Sequence, residues 1–510
     1  MSEILLATLN ARYVHAALGL RYLLANLGDL QDRARIREFV IGQRSEDIAE
    51  QILRERPAIL GLGVYIWNVQ ETTRLVGLLK RVAPELKIVL GGPEVSYEHD
   101  AQPIVALADH VITGWGDLSF AKLVRQLLAG ESAPKITAGE QSPLAAIAMP
   151  YALYSDEDLH KRHIYVEASR GCPFKCEFCL SALDATAWPF PLDAFMGELA
   201  TLYQRGARHF KFVDRTFNLK IDTSLRILEF FLECLRQAPD DPVFVHFELI
   251  PDHLPERLKV VIAEFPPGTL QFEIGIQSFD PEVQQRISRR QKNEVALANL
   301  EWLRTQSAAH LHVDLIAGLP GETLEGFARG FDRLVALEPH EIQVGILKRL
   351  RGAPIDRHTD AHTMRYLPEA PYNVLSTDVL DFATLQRIQR FAKLHDSIAN
   401  SGRFKRSIKL LFGDSPFAEF MRFADWLQAE AGQVHSLAYD RLVRFVYQYL
   451  TGPRGLDPAS TGEALGLDFL GAGGRGHFDF VDLDALQGRM RREQRATKAT
   501  PARQARHLRG

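Results

Sequence analysis

Glu167-Ala-Ser-Arg-Gly-Cys-Pro-Phe-Lys-Cys-Glu-Phe-Cys179 carries the strongest signal in the chain. Its cysteines, Cys172, Cys176 and Cys179, are spaced C-x3-C-x2-C, and a 510-residue chain that has four cysteines has put three of them within eight positions. Thiolates gathered this way repel one another and oxidise unless a cation binds them, so a metal or iron–sulfur cluster is expected there. Three sulfurs fill neither a tetrahedral zinc nor every corner of a four-iron cube, which leaves one metal position open for chemistry. Zinc is the alternative, but it would want a second C-x2-C or a histidine pair downstream. The fourth cysteine, Cys234, sits in a helical pattern with an apolar face and reads as a core residue. So few cysteines in so long a chain do not make a disulfide framework.

The length allows two or three domains, and 46% hydrophobic with 24% charged residues is ordinary for a soluble globular protein. A net charge of −4 gives no strong field for nucleic acid or an anionic membrane. Met1-Ser-Glu-Ile-Leu-Leu6 lacks the pattern of a signal peptide, and no apolar run reaches membrane-span length. The expectation is a cytoplasmic protein.

Residues 3–130 alternate short apolar runs with helical patterns, with strands expected at Ile4–Thr8, Ile36–Ile41, Ile59–Tyr65, Ile88–Leu90 and His110–Thr113. That rhythm predicts a parallel sheet covered on both faces, whose ligands bind at the carboxyl ends of the strands. The loops at those ends hold Asn10 to His15, Tyr65 with Trp67 and Asn68, Gly91-Gly-Pro-Glu-Val-Ser96, and Gly114-Trp-Gly116. Glycines there let a bulky ligand approach the backbone. Asn68 and Ser96 offer hydrogen bonds, and the aromatic residues offer flat surface. The dinucleotide fingerprint Gly-x-Gly-x-x-Gly is missing after the first strand.

Residues 163–349 repeat the strand–helix unit six times, with strands expected at Ile164–Ala168, His209–Val213, Val243–Leu249, Leu270–Ile276, Leu311–Ile316 and Glu341–Leu347. Six units predict a partial (β/α) barrel, with the cysteines at the carboxyl rim where barrel chemistry sits. Polar residues interrupt the apolar runs at Asp214 and Arg215, His246 and Glu248, Glu273, Gln277 and Ser278, and Asp314. Buried carboxylates need a partner or a ligand.

The cysteine tract resembles the signature of radical SAM enzymes, C-x3-C-x-aromatic-C, with Phe178 at the aromatic position and Arg170-Gly171 ahead of Cys172. The resemblance implies that the three cysteines are catalytic ligands of a [4Fe–4S] cluster whose fourth iron is chelated by the amino and carboxylate groups of S-adenosyl-L-methionine, from which one electron releases a 5′-deoxyadenosyl radical. It also implies cofactor contacts at Phe178, Asp214, Glu248, Glu273, Gln277, Ser278, Arg289 and Asp314. The N-terminal segment resembles the cobalamin-binding domain that precedes many such barrels, the Gly-Gly-Pro-Glu-Val-Ser loop matching best. Cobalamin contacts are implied at Asn10, His15, Tyr65, Trp67, Asn68, Gly91, Gly92, Pro93, Glu94, Ser96, Gly114 and Gly116. The motif D-x-H-x-x-G of a histidine-ligated cobalamin is absent.

Beyond Arg351 the prolines mark a linker, and helical patterns follow at Asp381–Ala399, Pro416–Ala431 and Tyr439–Leu450. This part resembles the helical domain of unknown function found in one subgroup of cobalamin-type radical SAM proteins, on Tyr372 to Thr377 and Asn400-Ser-Gly402. The expected fold class is α/β: a doubly wound Rossmann-like (flavodoxin-like) domain over 1–140, a linker over 141–160, a partial (β/α)6 TIM-type core over 161–352, and an α-helical domain over 353–485. A basic tail covers 486–510, where Arg489 to Gly510 hold eight Lys or Arg against Glu493. Such a composition predicts a disordered segment. The implied activity is methyl transfer to an unactivated carbon of a small molecule or peptide, driven by an external one-electron reductant, with no membrane or nucleic-acid partner. Two alternatives stand beside it. A methylthiotransferase would carry three further N-terminal cysteines and a β-barrel C-terminus. A sensor would bind the cofactors without turnover.

Overall fold

The computed structural model describes residues 3–184 and 186–487. Six parallel strands form the first sheet: β1 (Ile4–Asn10), β2 (Ala34–Val40), β3 (Ile59–Gly63), β4 (Lys87–Gly91), β5 (His110–Thr113) and β6 (Ile136–Ala138). Their order is β2-β1-β3-β4-β5-β6. The first five strands follow a flavodoxin-like order, in which the winding reverses between β1 and β3. All seven residues of β1 are buried, because helices cover both faces of the sheet. β6 has no counterpart in the sequence expectations. It is a three-residue edge strand with no fully buried position, too short and polar to show a period.

The second sheet begins with β7 (Ile164–Val166). A short antiparallel pair follows, β8 (Ser169–Arg170) with β9 (Trp188–Pro189), and the loop between them carries the cysteines. The remaining strands are β10 (His209–Phe212), β11 (Phe244–Leu249), β12 (Leu270–Gln277), β13 (His310–Ala317) and β14 (Glu341–Ile346). The order β14-β13-β12-β11-β10-β7 leaves β7 and β14 unpaired with each other, so the six-stranded barrel is open. Burial alternates strictly along β12, where Leu270, Phe272, Ile274 and Ile276 lie in the core and Gln271, Glu273, Gly275 and Gln277 stand on the opposite face. Phe212, Phe217, Phe247 and Phe272 stack through the apolar layer, with Phe217 and Phe247 centroids 3.7 Å apart.

An unpaired buried strand edge would leave backbone groups without partners. Both open edges are covered by other parts of the chain. At β7, the His163 amide donates to the Val14 carbonyl (2.8 Å), which brings the loop after β1 against the barrel. At β14, the Asn400 side chain acts as a strand: its Oδ1 accepts from the Ile342 amide and its Nδ2 donates to the Ile342 carbonyl, both at 2.9 Å. Further along, the Val374 amide donates to the Leu347 carbonyl (2.8 Å).

The C-terminal region is helical, with helices at Phe382–Ile398, Ser407–Phe412, Pro416–Ala431, Tyr439–Thr451 and Pro458–Gly471. It shares the barrel's core. Phe331 of the helix Leu324–Ala336 lies 5.0 Å from Phe391 and 5.9 Å from Phe417, ring centre to ring centre. The region therefore caps the barrel flank next to β14. A short pair not expected from the sequence, β15 (Arg365–Tyr366) with β16 (Val374–Ser376), precedes these helices. Among the described residues no helix is long and apolar enough to cross a membrane. From Gly488 on, the expected basic tail of 486–510 lies outside the described residues, while Leu486 at its start is buried.

Candidate functional site

The β8–β9 pair ties the two ends of the cysteine loop together, and the Cys172 amide donates to the Asp184 carbonyl (3.1 Å) inside it. Glu177, between Cys176 and Cys179, is an anchor rather than a ligand. Its carboxylate takes a 2.8 Å contact from His358 Nε2 and bonds with Ser288 and Arg357, and its amide donates to the Ile287 carbonyl. Burial pushes the Cys172 thiol up to about 11. Burial also raises Cys176, although the Arg289 guanidinium, with Nη1 at 3.6 Å from Cys176 Sγ, pulls it back. Thiols held this way stay protonated until metal displaces the protons. Among the described residues no three His, Cys, Asp or Glu side chains converge as a single metal ion requires. A four-iron cube takes one thiolate per iron, so three cysteines in one loop fit a cluster with one iron left open.

These sulfurs open onto a cavity of about 250 Å³. Phe178, Glu248, Glu273, Gln277, Arg289 and Asp314 all line it, as do Arg215 and Arg290, which the sequence reading left out of the site. Gln277 is distinctive. Its φ is +69°, a conformation uncommon outside glycine, and the β12–β13 register slips between Gly275 and Gln277. Such a bulge re-aims a side chain at a site. The buried Gln277 Oε1 has no protein hydrogen-bond partner, so it is free to accept from the hydroxyls or ammonium of a nucleoside-amino-acid cofactor.

Two expected contacts lie elsewhere. Asp214 is 3% exposed and outside this cavity; it accepts from the Ala168 amide (3.0 Å) and the Ser169 hydroxyl (2.6 Å), which fixes the approach to the cysteine loop. Burial raises its carboxyl to about 7. Ser278, also buried, donates to Glu322 and accepts from the Asp280 amide, because the chain turns away from the lumen directly after Gln277.

Several charges in the lumen are paired. Burial pushes Glu248 up to about 7 while Arg215, Nη1 at 2.6 Å, opposes it. Burial also works against the Glu273 carboxylate, but the His246 contact at 3.1 Å holds it below the usual carboxylate range. His312 is a further residue that sequence reasoning missed. Burial disfavours its charge, yet Asp314 (3.2 Å) and Glu341 (3.3 Å) flank the ring and raise it to about 10. Its signal was present: His312 stands two residues from Asp314 on the same strand face.

A second cavity, of about 350 Å³, opens at the carboxyl ends of β3, β4 and β5. Tyr65, Gly91, Gly92, Gly114 and Gly116 line it. Gly92 has φ +110°, and a Cβ there would stand 2.4 Å from the Val64 carbonyl oxygen. Tyr65 stacks on Trp67 at 4.4 Å, and Trp67 is 49% exposed. The other expected contacts shape the loops. Asn68 is fully buried and bonds to the Tyr65 amide and the Leu9 carbonyl. Asn10 bonds to Glu38 and the His15 carbonyl. Ser96 bridges the Gly92 carbonyl and the Gly114 amide. His15 is drawn to the barrel, with Nδ1 2.7 Å from the Tyr165 hydroxyl. Pro93 and Glu94 form a turn behind the cavity and do not line it. Glu167 and Arg170 complete the cavity wall, with Arg170 ion-paired to Asp117 at 2.8 Å. Arg170 is two residues before Cys172, so one segment serves both cavities.

Residues 4–124 match the B12 binding domain and residues 166–334 the radical SAM superfamily, while residues 360–492 match a family of unknown function. The chain thus joins a B12-binding domain to a radical SAM domain. It is 24% identical over 449 residues to the cobalamin-dependent radical SAM methyltransferase TokK of Streptomyces tokunonensis, covering 80% of this chain and 63% of that one. An uncharacterized methyltransferase of Pyrococcus horikoshii is 25% identical over 339 residues, 60% of this chain and 70% of its own. This chain thus spans just under two thirds of TokK's length. The solved structure of the radical S-adenosylmethionine methyltransferase TsrM from Kitasatospora setae, with cobalamin and [4Fe–4S] cluster bound, shares the fold. Its TM-score is 0.57 at 15% identity, over 96% of this chain and 99% of that one. The glycine-lined cavity and the three-thiol cavity sit in the domains that match the B12-binding and radical SAM families respectively.

Proposed function

We propose that this protein is a cobalamin-dependent radical SAM methyltransferase acting on an unactivated carbon. The supporting observation is the shared wall: Glu167 and Arg170 line the cavity in the first sheet, and Cys172 lines the cavity in the barrel. Two cofactor sites on one six-residue segment let a substrate lie between them. The bound groups supply a carbon-centred radical and a transferable methyl. The chain's own residues bind and orient. Cys172, Cys176 and Cys179 ligate the cluster, and Arg289 places positive charge beside Cys176. Gln277 and the Glu273 carboxylate accept hydrogen bonds from S-adenosylmethionine. Arg215 and Glu248 form a pair at the lumen that a polar substrate would meet.

Names of relatives favour methylation over other radical chemistry, TokK's among them. The test is anaerobic purification with hydroxocobalamin, followed by iron and cobalt analysis and product analysis under a one-electron reductant. The expected result is four irons and one cobalt per chain, with 5′-deoxyadenosine and S-adenosylhomocysteine both formed in the presence of substrate. Iron without cobalt would remove the methyl-transfer reading. Both metals without any cleavage of S-adenosylmethionine would point to a sensor.

A further inference from the structure

The stretch 335–359 falls between the radical SAM match and the match of unknown function. It carries Arg349 and Arg351 out of the end of β14, where they meet the first domain. Arg351 Nε lies 3.1 Å from Glu94 Oε1 and its Nη1 3.0 Å from Glu98 Oε2. Arg349 Nη2 lies 3.2 Å from Glu98 Oε1, and the Gly352 amide donates to the same oxygen at 3.2 Å. Gly352 has φ +81°, and a Cβ there would stand 2.4 Å from the Tyr97 ring, so the turn lies flat against that ring.

The C-terminal region adds its own contacts. The Tyr372 hydroxyl donates to Glu94, and its ring lies 4.9 Å from the Arg351 guanidinium carbon. Tyr372 is fixed against Arg349, whose amide donates to the Tyr372 carbonyl (3.0 Å). Two residues earlier, the Ala370 carbonyl accepts from Gln70 Nε2 at 3.1 Å, next to the Trp67-Asn68 loop.

Glu94 is 4% exposed, and its ion pair with Arg351 is largely buried. It follows Gly91 and Gly92, which line the glycine-rich cavity, and Ser96 of the same turn holds Gly92 to Gly114. Displacing Glu94 therefore displaces two walls of that cavity. We propose that residues 349–372 form a strap that sets the loops of the cobalamin site, with Arg351 and Tyr372 as positioning residues. This gives the beginning of the region of unknown function a role: it fixes the first domain's binding edge to the barrel end from which the strap emerges. The inference rests on the cobalamin reading above.

The test compares wild type, Arg351→Gln and Tyr372→Phe as full-length, cluster-reconstituted proteins, titrated with hydroxocobalamin by absorbance. Arg351→Gln should raise the hydroxocobalamin Kd at least about tenfold, as when a partner of a bound group's ligand is removed, and Tyr372→Phe about threefold, the loss of one hydrogen bond. Iron content, the cluster spectrum and the affinity for S-adenosylhomocysteine should stay within twofold of wild type. A purely structural role would lower these together with the melting temperature. If Arg351→Gln does not fold, Tyr372→Phe, which removes one hydroxyl, decides alone. Kd values within twofold of wild type in every folded variant overturn the strap. Failure of the wild type itself to bind hydroxocobalamin overturns the proposed function instead.

Discussion

Replacing Asp214 with asparagine should stabilise the protein above neutral pH. Asp214 is 3% exposed, and burial lifts its carboxyl from 3.8 to about 7. A folded pKa above the unfolded one means the native state holds the proton more tightly. The stability this group contributes is complete below about pH 4 and is lost as pH rises to about 7. Three units at 1.36 kcal/mol each make the full loss about 4 kcal/mol, falling by about 1.4 kcal/mol per pH unit in that window. Asparagine keeps the shape and cannot ionise. Its oxygen can accept from the Ala168 amide and its NH2 can donate to Ser169 Oγ, so the exchange costs about 1 kcal/mol. At pH 8 the variant should be more stable by about 3 kcal/mol. The assay is urea unfolding of the reduced, iron-free protein at pH 5, 6, 7 and 8. Glu248 and Glu322, also raised by burial, to about 7 and about 8, titrate in both proteins and cancel in the difference. A wild-type-minus-variant difference that is flat across those four pH values would refute the reasoning.

Three further outcomes are expected. Gly92→Ala should lose more than about 2 kcal/mol of stability and most hydroxocobalamin binding, since φ +110° and the Val64 carbonyl both exclude a Cβ. Denaturation and absorbance titration check it. Asn400→Ala strips Ile342 of both edge partners and should cost about 2–4 kcal/mol in thermal or urea unfolding, with cobalamin binding unchanged. Gln277→Leu removes a buried acceptor that has no protein partner, so stability should hold or rise slightly. Affinity for S-adenosylhomocysteine by calorimetry should fall about fivefold, the loss of one hydrogen bond.

The first-sheet strands were legible because parallel strands buried on both faces read as apolar runs, and the barrel strands because apolar residues recur at every second position. β5 and the helix Pro416–Ala431 fall on the residues the pattern marks. β6, the β8–β9 pair and the β15–β16 pair escaped, because two or three half-exposed residues carry no period. In the site, the cysteines needed no fold to be seen. His312 did not stand out, because a histidine in a strand usually serves the core, and only the meeting of β13 with β14 gives it Glu341 as a second carboxylate. Asp214 looked like a cofactor ligand from its place at a strand end. Tertiary packing turned it toward the start of the cysteine loop.

The sequence by itself determined what is local: the thiol spacing, the alternation that builds two parallel sheets, and the glycines that leave room at one edge. Those follow from periods of two and 3.6 residues and from which backbone conformations a side chain permits. Only the tertiary structure decided which polar residues share a cavity, that Asn400 stands in for a missing strand, and that Glu94 meets Arg351 across 257 positions. Such pairings depend on how the chain closes over long loops, and the entropy of that closure varies too slowly with length for spacing to reveal the partner.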